Sequence, residues 1–196
     1  MNSSPKQPQA ILLVPTSVGA GLTSACLGLI QALDTIGLKA GFLKPFMQNE
    51  LNGPGLDRST ALVSRTLSQR PPSPISQARL ERLLRDDQTD ELMENVIELY
   101  EQVVQQAYRD GSALDLVVVE GVVPTQHTTY ATQTNVQLAH ALNARIILVG
   151  SGGSQRAPGA GGRAGYARSK LWRRQLQPHL GRHSDAHEKP ALRSGG

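Results

Sequence analysis

A run of small residues follows the first apolar segment of the chain and has the composition of a phosphate-binding loop. Residues 15–24 read Pro-Thr-Ser-Val-Gly-Ala-Gly-Leu-Thr-Ser. Glycines let backbone amides converge, and a helix that begins after such a turn directs the positive end of its dipole at the loop. The residues expected to bind a nucleotide phosphate or another anion here are Gly19, Gly21, Leu22, Thr23 and Ser24.

The loop departs from the P-loop pattern G-x-x-x-x-G-K-[ST] at two positions. Thr16 stands where the first glycine belongs, and Leu22 stands where the lysine belongs. Because the lysine of that pattern offsets the charge of the terminal phosphates, its replacement argues against vigorous nucleotide hydrolysis. The alternative interpretation of the loop is a glycine turn that only packs a helix against a strand.

Lys44, Asp57 and Glu120 also lie where predicted strands end or helices begin. Hydroxyl and carboxylate oxygens are the ligands that Mg²⁺ prefers, so we expect Thr23, Asp57 and Glu120 to hold magnesium if it binds. We expect Lys44 to neutralise part of the charge of the anion. The alternatives are a helix N-cap for Thr23 or Asp57 and a surface position for Lys44. A Glu120 carboxylate without a partner, directly after a buried strand, would cost free energy, so a role in the site is favoured. No residue is predicted to be catalytic.

Short apolar runs alternate with segments of helical periodicity, which is typical of a parallel sheet with flanking helices. The predicted strands span residues 10–14, 40–43, 114–119 and 144–149. The predicted helices span residues 23–35, 58–67, 76–85, 89–108 and 130–142. The sequence therefore predicts an α/β domain whose ligand site lies at the carboxyl ends of the strands.

The charge of the chain is divided unevenly along its length. Residues 1–150 carry 11 Lys and Arg against 14 Asp and Glu, whereas residues 151–196 carry nine against two. The isoelectric point near 9.5 therefore comes from the second segment. We expect a flexible N-terminus over 1–8, a domain over 9–150, and a basic Gly- and Arg-rich tail over 151–196 that is disordered or translated out of frame.

The composition also excludes several classes of protein. The single cysteine excludes a disulfide framework and a cysteine-rich zinc site. The apolar runs are too short to span a bilayer, and the first ten residues lack the features of a secretory signal. We therefore expect a cytoplasmic protein that makes no contact with a membrane.

Five stretches occur in the order found in a known family. They are Val14-Pro15-Thr16, Gly21-Leu22-Thr23-Ser24, Lys44-Pro45, Glu120-Gly121-Val122-Val123-Pro124-Thr125 and residues 138–144. Together with Asp57 ahead of a helix, they resemble the dethiobiotin-synthetase type of P-loop domain. More specifically, they resemble the N-terminal domain of the long bacterial phosphate acetyltransferases over about residues 9–150.

The resemblance implies a P-loop-NTPase-like fold and a set of roles. In dethiobiotin synthetases, residues that match Thr23, Asp57 and Glu120 hold magnesium beside ATP, and the residue that matches Lys44 contacts substrate and phosphate. In the long phosphate acetyltransferases this domain is regulatory and supports assembly, so the resemblance implies a homo-oligomer in the full-length parent and a small-molecule effector as a candidate partner. Acetyl transfer between coenzyme A and phosphate occurs there in a separate C-terminal domain.

The resulting expectation is a truncated regulatory domain of a phosphate acetyltransferase, with no acetyl-transfer residue of its own. Two alternatives stay open. One is an ATP- and Mg²⁺-dependent ligase of the dethiobiotin-synthetase type, against which Leu22 counts. The other is a protein that binds nucleic acid through its basic tail. Nucleic acid is the less favoured partner, because runs of charged residues are more often simply solvated.

Overall fold

The computed structural model describes residues 7–48 and 57–151. Within these ranges the chain forms four strands and five helices. The strands are β1 (Gln9–Pro15), β2 (Ala40–Leu43), β3 (Leu116–Glu120) and β4 (Arg145–Val149). The helices are α1 (Leu22–Thr35), α2 (Arg58–Leu67), α3 (Gln77–Arg85), α4 (Thr89–Arg109) and α5 (Ala131–Ala141). Every predicted strand and helix is present.

The four strands form one parallel sheet in the order β2-β3-β1-β4. Leu12 pairs with Val119 on one side of β1 and with Ile146 on the other. Since all strands run in the same direction, their carboxyl ends lie at one edge of the sheet. The predicted P-loop-like α/β sheet with flanking helices is confirmed. Residues 1–6 and 152–196, in the predicted N-terminus and tail, lie outside the described residues.

Two apolar layers cover the two faces of the sheet. Leu12 belongs to a buried cluster that includes residues of α3, α4 and α5, whereas the next residue, Leu13, belongs to a cluster that includes residues of α1 and α2. Successive side chains of a strand point to opposite faces, so both must be apolar when both faces are covered. This double coverage explains why β1 and β3 are continuous apolar runs in the sequence.

Strand β3 begins two residues later than the sequence predicts. Asp115 lies in the turn before the strand, where its Oδ2 accepts the backbone N–H of Lys39 at 2.9 Å. The backbone N–H of Asp115 in turn donates to the Lys39 carbonyl at 2.8 Å. This pairing ties the start of β3 to the start of β2, and it places Glu120 as the last residue of β3.

The described part of the sheet has an apolar outer edge at β4. Ile147 and Leu148 are 42% and 63% exposed there.

Among residues 7–48 and 57–151, no helix is long and apolar enough to cross a membrane.

Candidate functional site

The loop between β1 and α1 is held by two glycines with a left-handed backbone. Gly19 has a φ of 77° and Gly21 a φ of 73°, a region that side chains with a Cβ disfavour. Gly21 is the N-cap of α1, and its carbonyl accepts the first helical bond from Ala25 at 2.9 Å. The amides of residues 22–24 precede that bond and have no acceptor within the helix. They suit an anion at the helix N-terminus.

The side chain of Leu22 takes no part in the loop surface. It is buried in the cluster between α1 and the sheet, together with Cys26 and Ile30. Leucine at the lysine position therefore contributes core packing, and only its backbone faces the loop. The N-cap role considered for Thr23 is wrong, because Gly21 is the N-cap. The Thr23 hydroxyl instead lies 2.9 Å from the hydroxyl of Ser59 at the start of α2.

Lys44 is the centre of a buried polar cluster at the carboxyl end of the sheet. Its Nζ lies 2.9 Å from Asp57 Oδ2, 3.2 Å from Glu120 Oε1 and 3.0 Å from Ser59 Oγ. Each of the three ammonium hydrogens therefore has an acceptor. The side chains of Lys44, Asp57 and Glu120 are 6%, 0% and 4% exposed, so the surface position considered for Lys44 is wrong.

Asp57 combines two interpretations that the sequence leaves open. Its Oδ1 accepts the backbone N–H of Thr60 at 2.9 Å, which makes it the N-cap of α2. Its Oδ2 is the oxygen that pairs with Lys44. Capping therefore holds the carboxylate in the orientation that the ion pair needs.

Ser59 links the members of the cluster, and the sequence did not single it out. Its hydroxyl accepts a hydrogen bond from Lys44 and donates one to Glu120 Oε1 at 2.9 Å. The only signal was its place two residues after Asp57, in the first turn of a predicted helix. Serine is ordinary at that place, so the signal is weak.

The cluster has features that fit magnesium. Glu120 Oε2 is buried and has no hydrogen-bond partner among the described residues, so one carboxylate oxygen is left unsatisfied. No group of three His, Cys, Asp or Glu side chains within the described ranges is arranged to hold a metal. Magnesium commonly binds through one or two carboxylates plus phosphate oxygens. Glu120 Oε2 and the Thr23 hydroxyl fit that donor set, and the ion would neutralise charge on a bound phosphate. The Asp57 oxygens are held by Thr60 and Lys44, so magnesium at Asp57 stays a prediction.

The stretch after β3 is clamped by two carboxamides. Asn135 of α5 accepts the N–H of Val122 at 2.8 Å and donates to its carbonyl at 2.8 Å. Gln48 makes the same pair of bonds with Val123, at 2.8 and 2.9 Å. These four hydrogen bonds fix the backbone that follows Glu120.

A pocket of about 300 Å³ lies between the glycine loop and the start of α2. Its lining includes every residue predicted to bind the anion, and also Glu120, but it does not include Asp57. The polar lining residues outside the glycine loop that the sequence did not single out are Gln48, Arg58 and Ser59. A larger cavity, of about 680 Å³, lies beside β2, but neither the glycine loop nor Asp57 or Glu120 lines it. The smaller pocket is therefore the candidate site.

Cys26 packs beneath the polar cluster as a core residue. Burial raises the pKa of its thiol far above the usual value, the Glu120 carboxylate raises this pKa further, and the Lys44 ammonium partly lowers it. A thiol with a raised pKa stays protonated and unreactive at neutral pH.

We therefore expect native Cys26 to resist alkylation by iodoacetamide at pH 7.5, since neither access nor the thiolate form favours the reaction. The measurement is the labelled fraction by mass spectrometry, with and without urea. Cys26 is the only cysteine of the chain, so unfolded protein should take up one label per chain. Rapid stoichiometric labelling of the native protein would contradict the buried position.

Comparisons with known proteins agree with this architecture. A family model described as AAA domain matches residues 9–160. Phosphate acetyltransferase of Pseudomonas putida is 48% identical over 141 residues, which cover 72% of this chain and 19% of that protein. The Nitrosomonas europaea protein of the same name is 46% identical over 136 residues, 69% of this chain and 19% of its own length.

Similarity extends to more distant relatives. Phosphate acetyltransferase of Escherichia coli is 34% identical over 145 residues, 74% of this chain and 19% of that protein. The chain spans about a fifth of the length of these curated relatives and matches their N-terminal part. The resemblance inferred from the sequence motifs is thereby confirmed.

Proposed function

This chain belongs to the AAA domain family, and from that premise we propose that residues 9–150 bind a phosphate-bearing ligand as the N-terminal regulatory module of a phosphate acetyltransferase. The observation that carries the proposal is the buried cluster of Lys44, Asp57, Ser59 and Glu120 beside the pocket of the glycine loop. The homologues named phosphate acetyltransferase support the choice of parent protein. The backbone amides of the glycine loop support a phosphate-bearing ligand.

The charges of the cluster favour a ligand site over a purely structural role. Among the described residues the cluster holds two carboxylates and one ammonium, and a buried charge is costly unless it is paired. Glu120 Oε2 is the oxygen left without a partner among the described residues. A Mg²⁺ ion beside Glu120 would pair with that oxygen and also bind the phosphate oxygens, so we include Mg²⁺ in the proposal.

A binding role is favoured over hydrolysis or ligation because Leu22 packs into the core. No side chain at that position can offset charge on the terminal phosphates, which a dethiobiotin-synthetase-type ligase would need. The proposal therefore names no catalytic residue in this chain. The proposal assigns acetyl transfer to the part of the parent protein that this chain does not cover. It describes that parent protein as a cytoplasmic homo-oligomer.

Calorimetric titration of the chain with ATP, pyrophosphate and acetyl-CoA, each with and without Mg²⁺, tests the proposal. We expect Gly21→Ala to weaken binding of the phosphate ligand at least tenfold, because Gly21 has a positive φ in the loop. Gly37→Ala is the matched control, since Gly37 has a φ of 81° and lies after α1, away from the pocket. Both variants should lose about 1–2 kcal/mol of stability through backbone strain.

Two results would contradict the proposal. One is the absence of binding by any of the three probes to the folded wild-type chain. The other is an equal change of affinity in Gly21→Ala and Gly37→Ala, since that would reflect stability and not the loop.

A further inference from the structure

We propose that Arg58 is the cation that contacts the bound phosphate, and that Lys44 serves as the internal counter-ion of Asp57 and Glu120. This inference rests on the proposed function, because it names the side chain that recognises the ligand in the same pocket. It replaces the expectation from the sequence that Lys44 neutralises the anion.

The hydrogen bonds of Lys44 are already used within the protein. Its ammonium has three hydrogens, and Asp57, Ser59 and Glu120 provide three acceptors within 3.2 Å. A phosphate that bound to Lys44 would have to displace a buried carboxylate, which would then lose its partner. Lys44 therefore stays bonded to Asp57, Ser59 and Glu120 when the phosphate binds.

Arg58 is the other cationic side chain in the lining of the pocket. It is exposed, it is the first residue of α2, and no hydrogen bond or ion pair joins it to another described residue. The position of the P-loop lysine cannot supply this charge, because Leu22 is buried. Arg58 is thus the positive charge left for a ligand among the described lining residues.

The chemistry of the guanidinium suits a phosphate group in particular. Its planar donors bond two phosphate oxygens at once, and arginine remains charged at any physiological pH. Arg58 would contact the ligand from the α2 side, opposite the amides of the glycine loop. We therefore expect phosphate or pyrophosphate groups to bind between the loop and Arg58, while Asp57 and Glu120 keep their counter-ion.

The test measures affinity for pyrophosphate and ATP in the presence of Mg²⁺, by calorimetry on the full chain. We expect Arg58→Ala to bind both probes about 10- to 100-fold more weakly, as expected for the loss of a hydrogen bond to a charged group. Arg58→Lys should be intermediate, because lysine keeps the charge but not the paired donors. Arg65→Ala is the control, since Arg65 is exposed on the same helix but does not line the pocket.

Each alternative result has a separate meaning. Failure of the wild-type chain to bind either probe overturns the proposed function. Wild-type affinity in Arg58→Ala, with binding intact in the wild type, overturns only the assignment of Arg58. A lower melting temperature in Arg58→Ala than in Arg65→Ala also overturns it, because Arg58 would then act through the fold.

Discussion

Lys44→Met is expected to lower the free energy of unfolding by about 3–5 kcal/mol, the usual cost of removing one partner from a buried ion pair. Methionine keeps most of the volume of the lysine stem but leaves the Asp57 and Glu120 carboxylates without their ammonium. Those side chains are 0% and 4% exposed, so water replaces the lost partner poorly. Since a domain of this size has about 5–15 kcal/mol in total, the variant should be close to unfolding.

Urea unfolding followed by far-ultraviolet circular dichroism, in EDTA, measures this loss. Lys39→Met is the matched control, because Lys39 and its partner Asp34 are 57% and 64% exposed; its stability should hardly change. Combining Lys44→Met with Asp57→Asn and Glu120→Gln should restore much of the stability, because the buried charges are then gone. Equal midpoints for Lys44→Met and Lys39→Met would show that the buried cluster contributes little.

Gly121→Ala is expected to destabilise the domain by about 1–3 kcal/mol, through overpacking directly beside Glu120. A Cβ at this position would lie 2.7 Å from the carbonyl oxygen of Leu13 and 2.8 Å from Asn135 Oδ1. The Leu13 carbonyl accepts the N–H of Gly121, and Asn135 is held by two bonds to Val122. Neither neighbour can move without breaking a buried hydrogen bond.

Gly28→Ala is the matched control for this substitution, and its expected effect has the opposite sign. Gly28 lies within α1, and a Cβ there has nothing within 4 Å. Alanine should therefore stabilise the domain by about 0.5–1 kcal/mol through its higher helix propensity. Thermal unfolding of both variants measures these effects. An unchanged melting temperature in Gly121→Ala would contradict the close approach at Gly121.

The elements of the fold were predictable because their signals are local. Apolar runs between turn residues gave the four strands, and three- and four-residue spacing gave the helices. The start of β3 was misplaced because Asp115 is held by Lys39, 76 residues away in the sequence. Periodicity within a short window contains no information on a contact of that kind.

The members of the site were predictable to a lesser extent than the elements. Glu120 and the loop glycines stood out because a charge after a buried strand and glycines before a helix are unusual in themselves. Ser59 and Arg58 did not stand out, since serine and arginine at the start of a helix are ordinary. Their importance comes from the neighbours that the fold brings to them.

The sequence by itself determined the parallel α/β sheet, the glycine loop at its carboxyl edge and the family that carries both. Only the tertiary structure decided how the charges are shared: Lys44 is bonded to Asp57, Ser59 and Glu120, and Leu22 is buried in the core. The physical reason is that backbone preference and apolar periodicity depend on neighbours within one or two turns. Ion pairing depends on distance and burial, and only the folded chain sets these.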